Sequence, residues 1–566
     1  MVVHLQDYQA LFDGEDVTLA VQEALFACAK YPGSTLKLGG GTLHFYPKYA
    51  LEKEYYISNN DYSRKSILFP LRDMNGITID GEGAELLCHG TVLPFVVDHS
   101  RDVTIQNLSI DYPHPFFFQA RIIESKEDSL ELEYDPEEFS AQAKDHAISF
   151  FSKEDGWEME KDRLLVCEFE ADTKAPSAYI PPYFAYFPKE SDGSFLSGMY
   201  RYLRPVQLRP GRLRLTGDTG CRHKVGNMWV GTFSGRENPG IFGNCSENVT
   251  VRDVTLYHTA SMGMVCQLCK NVTMERLKTI VRPGSNRYLS VNADSTHFVN
   301  CSGTIRYEGC VFTNMLDDAG NVHGNYMPIV KALDANALLL AFGHYQQNGV
   351  NLYSQGDQVR IVDYQTATPL VACLTVRSSS LISSRLLRLE LEEPLPALTE
   401  GSLVENLTRM PEVFIHNCTC GNNRPRGFLV STWKKAVISH NTFFNMSHAI
   451  YIGSEFHDWF ESGPVEDVLI TKNQFRNSAY TGGAVISINP RIAQGKNMFH
   501  RNIRIEGNFF ELHEKRFLHA CHIDGLVMRE NHYVQNDTLP VHSPIGTDGI
   551  LISDCYNVHV CPPEEG

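Results

Sequence analysis

"NVTVRDVTLY" at residues 248–257 and "NVTMERLKTI" at 271–280 are two copies of one pattern, set 23 residues apart. In each, β-branched and apolar residues alternate with polar ones, as in a strand with one buried face. The pattern returns as "GTIRYEGCVF" (303–312), "EVFIHNCTC" (412–420), "AVISHNTFF" (436–444), "DVLITKNQF" (467–475), "NIRIEGNFF" (502–510) and "GLVMRENHY" (525–533). "NGITIDGEG" (75–83) and "RDVTIQNLSI" (101–110) belong to the same series. Each run closes on Asn or Gly, followed by an aromatic. Asn441, Asn473, Asn508 and Asn531 hold matching places, and Asn tolerates the left-handed corner that a coiling chain must turn. A short strand recurring roughly every 22 to 35 residues cannot bury its apolar face alone, whereas stacked copies share a continuous core. The expected fold is all-β, a right-handed parallel β-helix solenoid.

An open coil end exposes strand edges and needs a lid. "GEDVTLAVQEALFACAK" supplies one: Val17, Val21, Leu25 and Cys28 recur at helical spacing behind Asp16, which predicts a capping helix over 16–30. Two stretches lose the repeat and show strands with Gly and Pro turns, such as "GRLRLTGDTG" (211–220) and "LLRLELEEPLP" (386–396). They are read as small β-barrel-like insertions at loop positions, where added chain is tolerated. The expected divisions are 1–115 (cap and first rungs), 116–225 (first insert), 226–325 (central rungs), 326–410 (second insert) and 411–566 (last rungs).

With 566 residues, 43% of them hydrophobic, the chain has ample material for more than one core. Its formal charge of −17, with no basic run, argues against a nucleic-acid partner. No window is long and apolar enough for a membrane span, and the N-terminus lacks the regions of a secretory signal, which leaves a cytoplasmic location or an exported protein with its leader removed. The 15 cysteines are scattered and odd in number, so buried thiols are expected rather than a disulfide framework. "CQLC" (266–269) has no second pair at zinc-site spacing, and no metal or cofactor is expected. Oligomeric state stays open, a homodimer being one option.

"NMLDDAGNVHGNY" (314–326) holds Asp317 and Asp318, then Asn321 and His323; "NADSTHF" (292–298) holds Asp294 and His297. Asp294 lies 23 residues before Asp317, one turn of the coil, so it should stand one rung below. Stacked strands are about 4.8 Å apart, which brings the carboxyl groups within roughly 5 to 9 Å of one another. Neighbouring residues of a strand face opposite ways, so Asp317 and Asp318 share a groove only if the chain bends at the strand's start; Gly320 is the expected bend. Crowding three carboxylates raises at least one pKa, leaving a proton donor beside an ionised base.

Polar residues on one face of such a coil resemble those of the polygalacturonase-like β-helix enzymes. A narrower match runs from residues 75–117 through "NADSTHF" and "LDDAGNVHG" to "RPRGFLVST" (424–432) and "WFESG" (459–463). On these segments the chain resembles the family 110 glycoside hydrolases, bacterial exo-acting α-galactosidases that cleave terminal α-1,3-linked galactose with inversion, on a β-helix carrying two small barrels. The resemblance implies a galactose-terminated oligosaccharide or glycoconjugate as substrate. It places the family's acidic residues on Asp294, Asp317 and Asp318, and by analogy with the inverting polygalacturonases Asp317 is the general acid while Asp294 and Asp318 activate water. His297, Asn321 and His323 flank the acids as binders of sugar hydroxyls, internal polar ladders being the other reading. Arg236 in "SGRENPGIF", and Arg424 or Arg426 in "NNRPRGF", are candidate donors to the sugar. Trp459 in "HDWFESG" is a candidate platform, with Glu455 and Glu461 accepting hydrogen bonds. The family's motif commonly reads D-D-A-I-N-V-H-G-T; here Gly320 and Asn325 replace an apolar residue and a threonine.

Two rivals use the same fold. A calcium-dependent polysaccharide lyase would take the three aspartates as ligands and needs an acidic sugar and a basic proton abstractor. A galacturonidase would need Lys or Arg opposite the sugar carboxylate. A non-catalytic carbohydrate-binding coil has no use for crowded acids.

Overall fold

The repeats stack as parallel strands in a computed structural model of the chain, which describes residues 1–566 except 145, 146, 153, 188–198, 234, 493, 496 and 542–544. The 23-residue step is a strand pairing: Val249 pairs with Val272 and Val251 with Met274. Inward positions then align down the coil. Ile79, Ile105, Val251, Met274, Tyr307, Ile415, Ile438, Ile470, Ile505 and Met528 form one fully buried column, each paired with the next. Each such side chain stabilises the fold by roughly 1.5 to 3 kcal/mol when fully buried. On a second parallel ladder Phe443, Phe475 and Phe510 stack with centroids 5.3 and 4.8 Å apart.

Asn441, Asn473, Asn508 and Asn531 are not the corner residues. The left-handed positions belong to their predecessors, His440, Lys472, Gly507 and Glu530. The four asparagines point inward instead, each side-chain amide donating to the next asparagine's Oδ1 at 3.0 Å and to a main-chain carbonyl of the preceding rung or, for Asn531, to Ile505 O. They satisfy main-chain groups where the chain turns from one sheet to the next, which a buried corner requires. Asn248 and Asn271, by contrast, do take the left-handed corner.

The helix runs Thr18–Ala29, starting two residues later and ending one earlier than expected, because Asp16 Oδ1 accepts the N–H of Thr18 at 2.8 Å and the helix begins inside that cap. Val17, Val21, Leu25 and Cys28 are buried beneath it. Ten of the cysteines are buried free thiols.

The first insert is a closed barrel of seven strands from Phe117–Ser125 to Met228–Thr232. The last strand pairs with both Phe117–Ser125 and Arg163–Phe169, which carries the barrel past the border at 225 drawn from sequence. The second insert has no sharp border at 326. One long strand, Gly320–Ala332, begins in the coil beside Thr296–Val299 and ends in the insert against Ala337–Ala341 and Leu403–Asn406.

Candidate active site

The site lies on the outer face of the parallel sheet formed by Met264–Gln267, Thr296–Val299, Gly320–Ala332 and Phe428–Val430. Thr296 pairs with Gly320 and His297 with Asn321. Counting back two residues, Asp294 stands below Asp318, not below Asp317 as the 23-residue step implied. The main-chain bonds agree: Ser295 N–H donates to Asp318 O, and Gly263 N–H to Asp294 O. This rung is 24 residues long because a bulge between Ser302 and Ile305 holds one residue more: Lys270 pairs with Ser302, but Val272 pairs with Ile305. Asp317 sits in the turn ahead of the strand, at a bend spanning 316–317.

The bend places both aspartates outward without help from Gly320. Gly320 is needed for another reason: a Cβ there would meet Phe428 Cδ1 and Tyr307 Oη at 2.8 Å. The Phe428 and Tyr307 rings occupy the space that a side chain would need.

One carboxylate oxygen from each of Asp294, Asp317 and Asp318 lies within 4.8 Å of the others. Arginines meet two of them. Arg236 donates to Asp317 Oδ2 at 2.7 Å, with Arg424 at 3.8 Å from the same oxygen. Arg426, one rung above Asp318, forks onto both its oxygens at 2.9 Å each. Asp294 has no guanidinium bond among the described residues; its Oδ2 contacts His297 Nδ1 at 2.5 Å.

Burial, then the nearby Asp317 carboxylate, pushes Asp294 up to about 8. Burial also drives Asp318 well above the ordinary carboxylate range, with the Arg426 fork opposing it. His297 falls to about 3 through burial and the adjacent His323. Glu461 lies below its usual value: burial raises it, but His323, His297 and Arg426 together outweigh that. A second group, His297, His323 and Glu461, also places donor atoms within 4.8 Å of one another. In the first group guanidinium groups engage Asp317 and Asp318 while His297 engages Asp294; in the second the donors engage one another.

The three aspartates do not stand alone on a surface. Asp294, Asp317 and Asp318 line a cavity of about 720 Å³, along with His297, Asn321, Arg236, Arg424, Arg426, Glu455, Trp459 and Glu461. His323 does not line it. It faces outward from its strand but is covered by Glu461–Ser462, which pairs antiparallel with Gly324–Asn325. Glu455 is at the wall, yet its oxygens accept the main-chain N–H groups of His457, Asp458, Trp459 and Phe460 at 2.5 to 3.0 Å. These bonds hold the 455–461 loop in shape. Glu461 accepts from Asn321 at 3.3 Å and from Asn59 at 3.4 Å. Trp459 is half-buried, with the Arg236 guanidinium carbon 5.4 Å from its ring and the His344 ring 4.1 Å away. The arginines expected as sugar donors are engaged with the aspartates.

Sequence reasoning missed the wall opposite the coil. The first barrel contributes Arg163, Leu165, Phe184 and Thr232 to the cavity, and the loop after the second insert's first hairpin strand contributes Tyr345 and Gln346. No local pattern marks these residues, since only the folded barrel brings them to the site.

Comparison with known proteins adds the family. Residues 337–401 match the model described as GLAA-B beta-barrel domain II. The chain is 31% identical to "Alpha-1,3-galactosidase B" of Bacteroides thetaiotaomicron, over 95% of this chain and 86% of that one. It is 32% identical to "Alpha-1,3-galactosidase A" of Bacteroides fragilis, over 96% and 88%, and 30% identical to "Alpha-1,3-galactosidase A" of Shewanella woodyi, over 93% and 84%. With that identity sustained along nearly the whole of each chain, and with the second barrel matched separately, this chain belongs to the α-1,3-galactosidase family, glycoside hydrolase family 110.

Proposed function

We propose that the chain is an exo-acting α-galactosidase that releases terminal α-1,3-linked galactose by general acid and base catalysis, with inversion. One observation carries this reading: carboxylates from two adjacent rungs meet at a cavity wall, with arginines balancing two of them and none balancing the third. A glycosidic bond needs a proton delivered to the departing oxygen and a second carboxylate to act on the other side. Asp317 is the candidate acid. Its side chain is 14% exposed, against 4% for Asp294 and 2% for Asp318, so it is the one most open to a leaving group. Asp294 and Asp318 lie deeper and hold the water. Asn321 and Glu461 are the candidate partners for sugar hydroxyls, and Trp459 for an apolar sugar face.

Among the described residues no lysine lines the cavity, which favours hydrolysis over elimination by a basic side chain. Arg236, Arg424 and Arg426 already face aspartates, which favours a neutral sugar over galacturonate. Retention is the second reading, because carboxyl oxygens under 4.8 Å apart are nearer than the separation that usually admits a water.

The test is incubation with p-nitrophenyl α-galactoside, linear α-1,3-galactobiose and the fucose-branched blood-group B trisaccharide, with the product anomer followed by NMR. β-Galactose appearing first is the expected result; α-galactose first establishes retention. No galactose from any of the three refutes the reading, and the ratio of the last two rates defines the preference for branching.

A further inference from the structure

Behind Asp294 lies a row of hydrogen bonds that the catalytic reading leaves unused. Asp294 Oδ2 contacts His297 Nδ1 at 2.5 Å, His297 Nε2 contacts His323 Nε2 at 2.9 Å, and His323 Nδ1 contacts the carbonyl of Gly324 at 2.7 Å. Asp294, His297 and His323 are each at most 3% exposed. The carbonyl can only accept, so His323 Nδ1 carries a hydrogen. A neutral His323 then has a bare Nε2, which accepts the Nε2 hydrogen of His297. A neutral His297 has a bare Nδ1 in turn, so the hydrogen in the 2.5 Å contact comes from Asp294 Oδ2. With both rings neutral, a main-chain carbonyl three contacts away fixes the position of every proton in the row.

The other aspartates are each held by a guanidinium group. Asp318 has both oxygens in the Arg426 fork, and Asp317 Oδ2 is held by Arg236. Oδ1 of Asp294, on the cavity wall, makes no hydrogen bond among the described residues, and Glu461 Oε1 lies 3.5 Å from His323 Nε2. Any charge reaching His323 therefore faces a carboxylate, while a charge left at Asp294 would face Arg236 and Arg426 across the cluster.

We propose that Asp294, His297 and His323 form a proton file that takes up the proton of the attacking water, a step that rests on the hydrolysis proposed above. As water bonds to the anomeric carbon, one of its O–H bonds breaks and Asp294 Oδ1 gains that proton. The Oδ2 proton passes to His297 Nδ1, and the Nε2 proton of His297 passes to His323 Nε2. The leaving oxygen takes its proton from Asp317 as the glycosidic bond breaks. The positive charge comes to rest on His323, opposite Glu461. His297 and His323 are thus positioning residues acting through Asp294, and only His297 reaches the cavity. An extra proton already in the file blocks it, so activity falls as pH is lowered.

The test uses an aryl α-galactoside whose leaving group needs no acid, so that only the water side of the reaction is read. In His323→Gln the file has no terminal cation. The expected result is a kcat lower by on the order of tenfold or more, a KM little changed because residue 323 does not touch the cavity, and an acid limb moved from its wild-type position. In mixtures of light and heavy water the wild-type rate should bow, as several protons move together, and the His323→Gln rate should be linear. Wild-type kcat and acid limb retained in His323→Gln would overturn the file, as would a linear wild-type dependence, a result available even where the variant fails to fold. So would a stoichiometric transition metal in the purified protein whose removal abolishes activity. A wild-type chain inactive on every α-galactoside overturns the hydrolytic reading beneath the file; an active wild type with an unaffected variant overturns the file alone.

Discussion

The asparagine column, Asn441 to Asn531, and the acidic column, Asp294, Asp318 and Arg426, both set polar side chains on successive rungs of one coil. In the first, Asn441, Asn473 and Asn508 repeat the same pair of bonds, one along the axis and one to a main-chain carbonyl, and Asn531 ends the row on Ile505 O. The column is neutral, closed to solvent and self-consistent, and it serves the corner. In the second, each rung differs: a carboxyl shared with an imidazole, a carboxylate in a fork, then the guanidinium that makes the fork. Repetition in a coil makes structure; broken repetition on the same frame leaves protons and charges unequally placed, which is what chemistry needs.

Substitutions should separate the two columns. Asp317→Asn removes the candidate acid and should lower kcat on an α-1,3-galactoside by about 10²- to 10⁴-fold. The loss should be smaller on an aryl galactoside with a good leaving group, and the melting temperature should scarcely move; equal losses on both substrates would remove Asp317 from the acid role. Arg426→Met leaves Asp318 buried without its partner and should destabilise by roughly 3 to 5 kcal/mol while also lowering kcat, as denaturant titration and steady-state rates would show. Asn473→Ala is the converse. It takes the acceptor from the main-chain N–H and one amide hydrogen of Asn441 and a donor from Ile438 O, costing about 1 to 3 kcal/mol, yet kcat/KM should stay within about twofold because the site is remote. An activity loss there would mean that the columns are coupled.

The smallest effect concerns pH. Asp294 is raised to about 8 in the folded chain, so its contribution to stability is fully present below the unfolded carboxylate range and is lost as pH rises through about 8. Asp294→Asn keeps a neutral group at that place. It should therefore melt on the order of 1 to 3 °C above wild type at pH 9, with the gap closing towards pH 4. A variant less stable than wild type at pH 9 would contradict the raised carboxyl.

Sequence alone revealed the coil because its inward residues are apolar on every rung and its strands are short enough to align by eye. It also revealed the acids, which have no structural reason to gather. The pairing of Asp294 with Asp318 was hidden, since a bulge between Ser302 and Ile305 adds one residue to the rung while the pairing on either side continues, and the count from Asp317 fell on the wrong partner. The loop-holding role of Glu455 was hidden too: its four main-chain N–H donors leave no mark in the sequence. The barrel wall, with Arg163 and Phe184, was beyond reach because its strands lie more than a hundred residues from Asp294 along the chain.

The strand Gly320–Ala332 belongs to two architectures at once. Its first residues follow the acids on the coil, and its last ones open the second barrel. The accessory module is therefore not a detachable attachment: exchanging it between relatives to alter selectivity would require a splice beyond residue 332, leaving the shared ribbon with the recipient, or else the graft would carry the donor's catalytic register with it.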